Sequence, residues 1–197
     1  MIKRMFTLAS MMLVFFTIDV AAGEETSKHS LTLQYQDFDD ETVITQSFTR
    51  TGLLYRYQVF QKLGLDLEYS DINGDRSGSF YRLGASGSMA MGPVDLNYGF
   101  YHYQQELDDF AGDSTDSGLK LMLGLGYQVK QFHFDLNYIS EDVEGADPDD
   151  PGDYVEMGSL ELSVRYDVEN SPWSVGFSYV DSGSDYTANT LRVGYSF

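Results

Sequence analysis

Three histidines, no cysteine and 31 acidic residues set the chemistry open to this chain. Without cysteine there is no thiolate nucleophile, no thiolate metal site, no disulfide and no lipid-modified cysteine of the lipoprotein kind. His133 stands two residues before Asp135, a spacing that on a β-strand puts imidazole and carboxylate on one face, where the acid can orient the ring as a base. Hydrolysis also needs a nucleophile within reach of that base, and the candidates do not converge. Gln104 follows His102 at the same spacing, His29 lies in an N-terminal tail, and neither Asp108-Asp109 nor Asp149-Asp150 has a histidine placed to face it. The chain is therefore read as a non-enzyme, with no catalytic residue and no cofactor.

The densest run of oxygen donors is Asp147-Pro148-Asp149-Asp150-Pro151-Gly152-Asp153, in which Asp147, Asp149, Asp150 and Asp153 could ligate a hard divalent cation such as calcium. Its spacing departs from a helix-flanked calcium loop, because the closing glutamate is missing. The competing reading is a hydrated, self-repelling loop. A formal charge of −19 excludes nucleic acid as a partner, since a phosphate backbone would be repelled.

The elements that position these residues read as strands. Aromatic residues make up 15% of the chain and there are 19 glycines, a composition suited to β-structure with close backbone approaches. Alternation is clearest at Leu119, Leu121, Leu123, Leu125, Tyr127 and Val129, interleaved with Lys120, Met122, Gly124, Gly126 and Gln128. The same period recurs from Leu31 to Tyr35, Leu53 to Val59, Leu63 to Tyr69, Tyr81 to Met89, Val94 to Phe100, Phe132 to Tyr138, Leu160 to Val168, Trp173 to Tyr179 and Leu191 to Phe197. Most of these ten segments approach the ~9–11 residues with which a tilted strand crosses a bilayer.

Their connections alternate. Phe60 to Lys62, Gly92-Pro93, Lys130-Gln131 and Glu169 to Pro172 are short; Asp39 to Arg50, Asp71 to Gly78, Gln105 to Ser117, Glu141 to Glu156 and Asp181 to Thr187 are long and hold most of the acids, offset there by Arg50 and Arg76. Short turns on one side and long loops on the other predict a ten-stranded antiparallel transmembrane β-barrel, with eight strands as the alternative. A two-sheet sandwich is the soluble competitor.

If the apolar parity faces lipid, the other parity faces the lumen. It carries Asp66, Glu68, Asp95, Asp135 and Glu161 against Arg56, Arg82, Lys120, Arg165 and Arg192, with Asp167 left out as a rim residue. Equal numbers of opposite charges in a narrow space predict a paired internal network. Folding the second and third strands about residue 61 sets Arg56 opposite Asp66, and the same construction sets Lys120 opposite Glu141. Small lumen residues such as Gly124, Gly126, Gly176, Gly194, Ser86, Ser88, Ser174 and Ser178 either leave a narrow water path or let a bulky neighbour pack across. Tyr35, Tyr69, Tyr81, Tyr138 and Tyr179 fall toward the loop ends, and Tyr57, Tyr127, Tyr166, Trp173 and Tyr195 toward the turn ends, as two interfacial belts.

Lys3 and Arg4, an apolar run from Met5 through Phe16, and Val20-Ala21-Ala22 read as a secretory signal peptide over residues 1–22. Residues 23–30 then form a periplasmic tail and 31–197 the barrel. With the closing run Val193-Gly194-Tyr195-Ser196-Phe197, the pattern resembles small Gram-negative outer-membrane β-barrel proteins of the porin-like and OmpX-like kind. The resemblance implies a place in the cell outer membrane, contact with its lipid and lipopolysaccharide, and an assembly signal at Gly194, Tyr195 and Phe197 read by the barrel-insertion machinery. Ten strands is also the number in omptin proteases, whose Asp/His and Asp/Asp pairs sit high in an extracellular cleft. Here His133 and Asp135 lie by a turn on the opposite side. Lipid A deacylases imply a serine two residues after a histidine, where this chain has Gln104 and Asp135. The expected function is a non-enzymatic barrel, either a narrow passive channel for small solutes or a structural surface barrel with acidic extracellular loops. The alternatives are a surface interaction or adhesion protein, binding divalent cations through those loops, and an omptin-like or lipid A-modifying hydrolase.

Overall fold

Strands in which every second residue is apolar leave one wettable face and one that is not, and closing such a sheet on itself removes its edges and sorts the two faces at once. The computed structural model describes residues 28–40, 46–60, 63–109, 112–144, 155–183 and 186–197. The signal-peptide segment, most of the tail, and Asp147, Asp149, Asp150 and Asp153 lie outside the described residues.

Ten strands are present: β1 (His29–Asp40), β2 (Gln46–Phe60), β3 (Leu63–Gly74), β4 (Ser77–Met91), β5 (Val94–Asp109), β6 (Gly112–Val129), β7 (Phe132–Glu144), β8 (Val155–Asp167), β9 (Trp173–Asp181) and β10 (Tyr186–Ser196). Each pairs antiparallel with the next, and β10 pairs with β1 to close the barrel. The closing register runs from Leu31 opposite Tyr195 to Tyr35 opposite Leu191 and on to Asp40 opposite Tyr186. The eight-stranded and sandwich alternatives are therefore excluded. The first strand begins at His29, two residues inside the expected tail, because His29 exchanges backbone hydrogen bonds with Phe197.

On the other side the strands continue past the expected loop boundaries. β3 and β4 are separated only by Asp75 and Arg76, and the β5–β6 ladder runs out to Asp109 opposite Gly112. Serine-, aspartate- and glycine-rich segments read as loops in isolation, yet cross-strand pairing carries the hairpins outward. The opposite turns are tight. Gly92 in Gly92-Pro93 and Lys130 in Lys130-Gln131 take the left-handed backbone (φ 70° and 54°) that lets two residues reverse a strand.

Burial is inverted relative to a soluble domain. Leu123 and Leu162 are 58% and 59% exposed, whereas Ser70, Ser178 and Thr190 are fully buried. A continuous exposed band of leucine, valine, phenylalanine and tyrosine around the wall far exceeds the apolar patch a soluble monomer displays. It is the surface a hydrocarbon layer covers.

At the turn end, Trp173 packs edge-on against Tyr195 (centroids 4.8 Å apart), and His29 stacks on Phe197 (5.5 Å). Toward the loop end, Tyr69 packs on Tyr81 (5.1 Å) across the β3–β4 pair. These are interfacial girdles, and His102, exposed between Leu83 and Leu119 on neighbouring strands, belongs to the same outward parity.

Candidate functional site

The lumen wall is built by the polar parity of all ten strands, and its charges meet in pairs dictated by register. Arg56 faces Asp66 across β2–β3. Its Nη1 lies 3.4 Å from Asp66 Oδ1 and donates to Ser86 Oγ at 2.6 Å, Nη2 donates to the Ser86 carbonyl at 2.9 Å, and Ser86 Oγ donates in turn to Asp66. Lys120 faces Glu141 across β6–β7 in direct ion contact. Arg192 on β10 reaches across β9 to Glu161 on β8, Nη2 to Oε1 at 3.1 Å, while Asn137 Nδ2 donates to the other oxygen at 3.2 Å.

The tightest knot centres on Glu68. Arg82 Nη2 lies 2.7 Å from its Oε2; Gln34 Nε2 and Ser70 Oγ donate to Oε1, and Arg50 Nη2 stands 4.0 Å from the same atom. The sequence sets Arg50 at the end of a long outer connection. It lies on β2 and points inward, its Nε donating to Gln36 Oε1 at 2.6 Å while Gln36 Nε2 donates to Thr190 Oγ1 at 2.9 Å. Its guanidinium sits 4.0 Å over the Phe80 ring and 5.2 Å from that of Phe38, and Arg82 lies 4.6 Å over Tyr101. Cations with most of their water stripped away thus rest on carboxylate and on aromatic faces together.

Two of the expected network residues behave differently. Asp95, close to the turn end of β5, forms no ion pair among the described residues. Asp135 is held by neutral donors, Asn97 Nδ2 at 2.8 Å and Ser163 Oγ at 3.2 Å, in place of a cation. Arg165 pairs with the omitted rim residue: its Nε lies 3.0 Å from Asp167 Oδ1, and His133 Nε2 lies 2.7 Å from Oδ2 of the same carboxylate. His133 is therefore engaged with Asp167 on the neighbouring strand and not with Asp135 two residues on. Among the described residues, neither His102 nor His133 holds a hydroxyl in the manner of a base and its nucleophile.

Sequence reasoning missed an apolar layer inside the lumen. Phe48, Ile72, Phe80, Tyr103 and Leu107 pack together, with Phe38 stacked on Phe48 at 4.6 Å between ring centroids. All lie on the lumen parity at the outer ends of their strands, and the signal was present in that parity once the strands are extended past the tyrosine belt. Below it, Tyr101 lies across Gly84 and Gly99: a Cβ on Gly84 would come 2.4 Å from Tyr101 Cδ1, and one on Gly99 2.7 Å from Tyr101 Cε2. Of the two readings open for small lumen residues, a bulky neighbour packing across is the one found at this level. Toward the turn end the lumen stays open. A cavity of about 360 Å³ is bounded by Ser30, Thr32, Arg165, Asp167, Ser174 and Ser196, among others.

Gly194 and Tyr195 border that cavity, and the rings of Tyr195 and Phe197 stack in the turn-side girdle. Among the described residues, no group of three or more histidine or acidic side chains is placed to hold a metal ion.

No protein-family model matches the chain, and no curated protein matches it in sequence. Solved structures do match in shape. An outer membrane channel from Pseudomonas putida F1 aligns over 91% of this chain and 98% of its own at 10% identity (TM-score 0.52). The β domain of the Bordetella autotransporter BrkA aligns over 88% and 99% at 10% identity (TM-score 0.52), and the transport unit of the autotransporter AIDA-I from Escherichia coli over 93% and 94% at 12% identity (TM-score 0.51). At such identities the likeness carries the fold: the chain is a closed ten-stranded antiparallel barrel of the outer-membrane type, and its lipid-facing band belongs in that membrane.

Proposed function

We propose that this barrel is a non-conducting, non-enzymatic surface protein: a sealed anchor that holds acidic hairpins rigidly on the outer side of the membrane. The observation that carries the reading is the two-tier closure of the lumen. Glu68, 1% exposed, is tied to Arg82, Gln34 and Ser70, and the Phe38–Phe48–Ile72–Phe80–Tyr103–Leu107 layer lies outward of it. A ten-stranded barrel encloses little more room than one that its own side chains fill, so two such layers leave no continuous path for hydrated ions. Extension of β3–β4 and β5–β6 beyond the lipid-facing band supports the display role. Exposed Asp75 and Asp108 lie on these outer ends and exposed Asp37 and Asp39 at the outer end of β1, which favours association through charge over solute passage. The outer-membrane lipid around the wall and lipopolysaccharide at the outer girdle are its constant neighbours in this reading. Swelling of proteoliposomes in small sugars tests it. Swelling no faster than in protein-free vesicles is expected, and size-dependent swelling would refute the closure.

A further inference from the structure

We propose that the turn-side half of the lumen is a binding site, open to the periplasm, for a small polyhydroxylated anion of the sugar-acid or sugar-phosphate class. The inference rests on the sealed lumen, which makes this space an end pocket instead of a stretch of path.

The pocket holds about 360 Å³, enough for one such solute, and its inner wall is hydroxyl-rich: Ser30 and Thr32 on β1, Ser174 on β9 and Ser196 on β10. These side chains both donate and accept, the pairing a polyol needs. Charge is supplied by Arg165. Its Nε is taken by Asp167 at 3.0 Å, and its terminal nitrogens have no ion-pair partner among the described residues, so they remain available for a carboxylate or phosphate. Asp167 is shared with His133 at 2.7 Å, which divides its charge between two partners and holds the guanidinium at the pocket wall.

Register sets a second arginine beside this wall, with its guanidinium held by Glu161. Arg165, Gly176 and Arg192 lie in one row across β8, β9 and β10. A Cβ on Gly176 would come 3.3 Å from the Val164 carbonyl oxygen and 3.8 Å from the Cβ of either arginine, so side chains crowd this position less than they do the other lumen glycines.

The test is titration calorimetry on the full-length barrel refolded in micelles, with gluconate, glucose 6-phosphate, glucose and inorganic phosphate as probes. Millimolar or tighter binding of both sugar anions, with glucose and phosphate each at least several-fold weaker, is expected. Arg165→Gln should weaken the sugar anions roughly tenfold or more, as loss of a charged hydrogen bond does, while Asp75→Asn at the outer turn changes nothing. Unchanged heat-modifiable gel mobility verifies that each variant folds. No heat from either sugar anion, equal binding of glucose, equal binding of bare phosphate, or an unaffected Arg165→Gln would each overturn the proposal. Liposome swelling tests the seal and titration tests the pocket, so the two readings fail separately.

Discussion

Replacing Glu68 by glutamine removes one charge from the centre of the lumen with almost no change of shape. The side chain is 1% exposed and accepts from Gln34 and from Ser70 at 3.2 Å, with Arg82 at 2.7 Å and Arg50 at 4.0 Å. An amide there turns an N–H toward groups that themselves donate. Arg82 is left with the Tyr101 face and Arg50 with Gln36 and its two phenylalanines. Two largely buried cations lose their counter-ion together, and breaking a buried pair from one side costs about 3–5 kcal/mol. That is a large share of the ~5–15 kcal/mol by which a domain is stable. Urea unfolding in lipid vesicles, followed by tryptophan fluorescence of Trp173, measures it. Glu68→Gln combined with Arg82→Met should recover part of the loss, because it removes the nearer of the two orphaned cations and leaves only Arg50, which keeps Gln36 and its aromatic faces. A Glu68→Gln loss within about 1 kcal/mol of zero would refute the reasoning, since only a pair bathed in water is worth so little.

Other consequences are as direct. Leu123→Arg, at the centre of the lipid-facing run of β6, should cost about 2–4 kcal/mol in the same vesicle assay; a cost below about 0.5 kcal/mol would mean that face meets water. Gly84→Val puts a Cβ 2.3 Å from the Phe100 carbonyl oxygen, a backbone atom, so it should destabilise by at least ~1–3 kcal/mol and stay destabilising when Tyr101 is also cut to alanine. A double-mutant cycle on Lys120 and Glu141, 16% and 12% exposed, should return a coupling of about 0.5–3 kcal/mol that changes little with salt. A coupling that vanishes at high salt would mark that pair as solvent-screened.

Period-two alternation made the wall legible, because each of Leu119, Leu121, Leu123 and Leu125 answers to one solvent, lipid, with no tertiary partner to override it. Short turns made register legible: once the reversal near residue 61 is placed, Arg56 can only face Asp66. The outer half was harder for a physical reason. Beyond the tyrosine belt, neither face meets hydrocarbon, so Phe48, Phe80 and Leu107 obey a different rule and pack inward on one another. Arg50 follows them, and its place at the end of a long connection in the sequence hid a partner, Glu68, on the next strand. Asp167 was hidden by its rim position, which does not stop it collecting Arg165 and His133 from two adjacent strands. The separation of Asp135 from His133 has a similar origin, for residues two apart share a face, but the nearest partner on a barrel wall is as often across the ladder as along it.

Single-channel recording in planar bilayers puts the central claim to its most direct test. With Glu68 knotted to Arg82 beneath the apolar layer of Phe48, Ile72, Phe80, Tyr103 and Leu107, the proposed seal predicts that the wild-type barrel inserts and stays electrically silent across the voltage range that the bilayer withstands. Discrete, reproducible conductance steps from the unmodified protein would contradict the account.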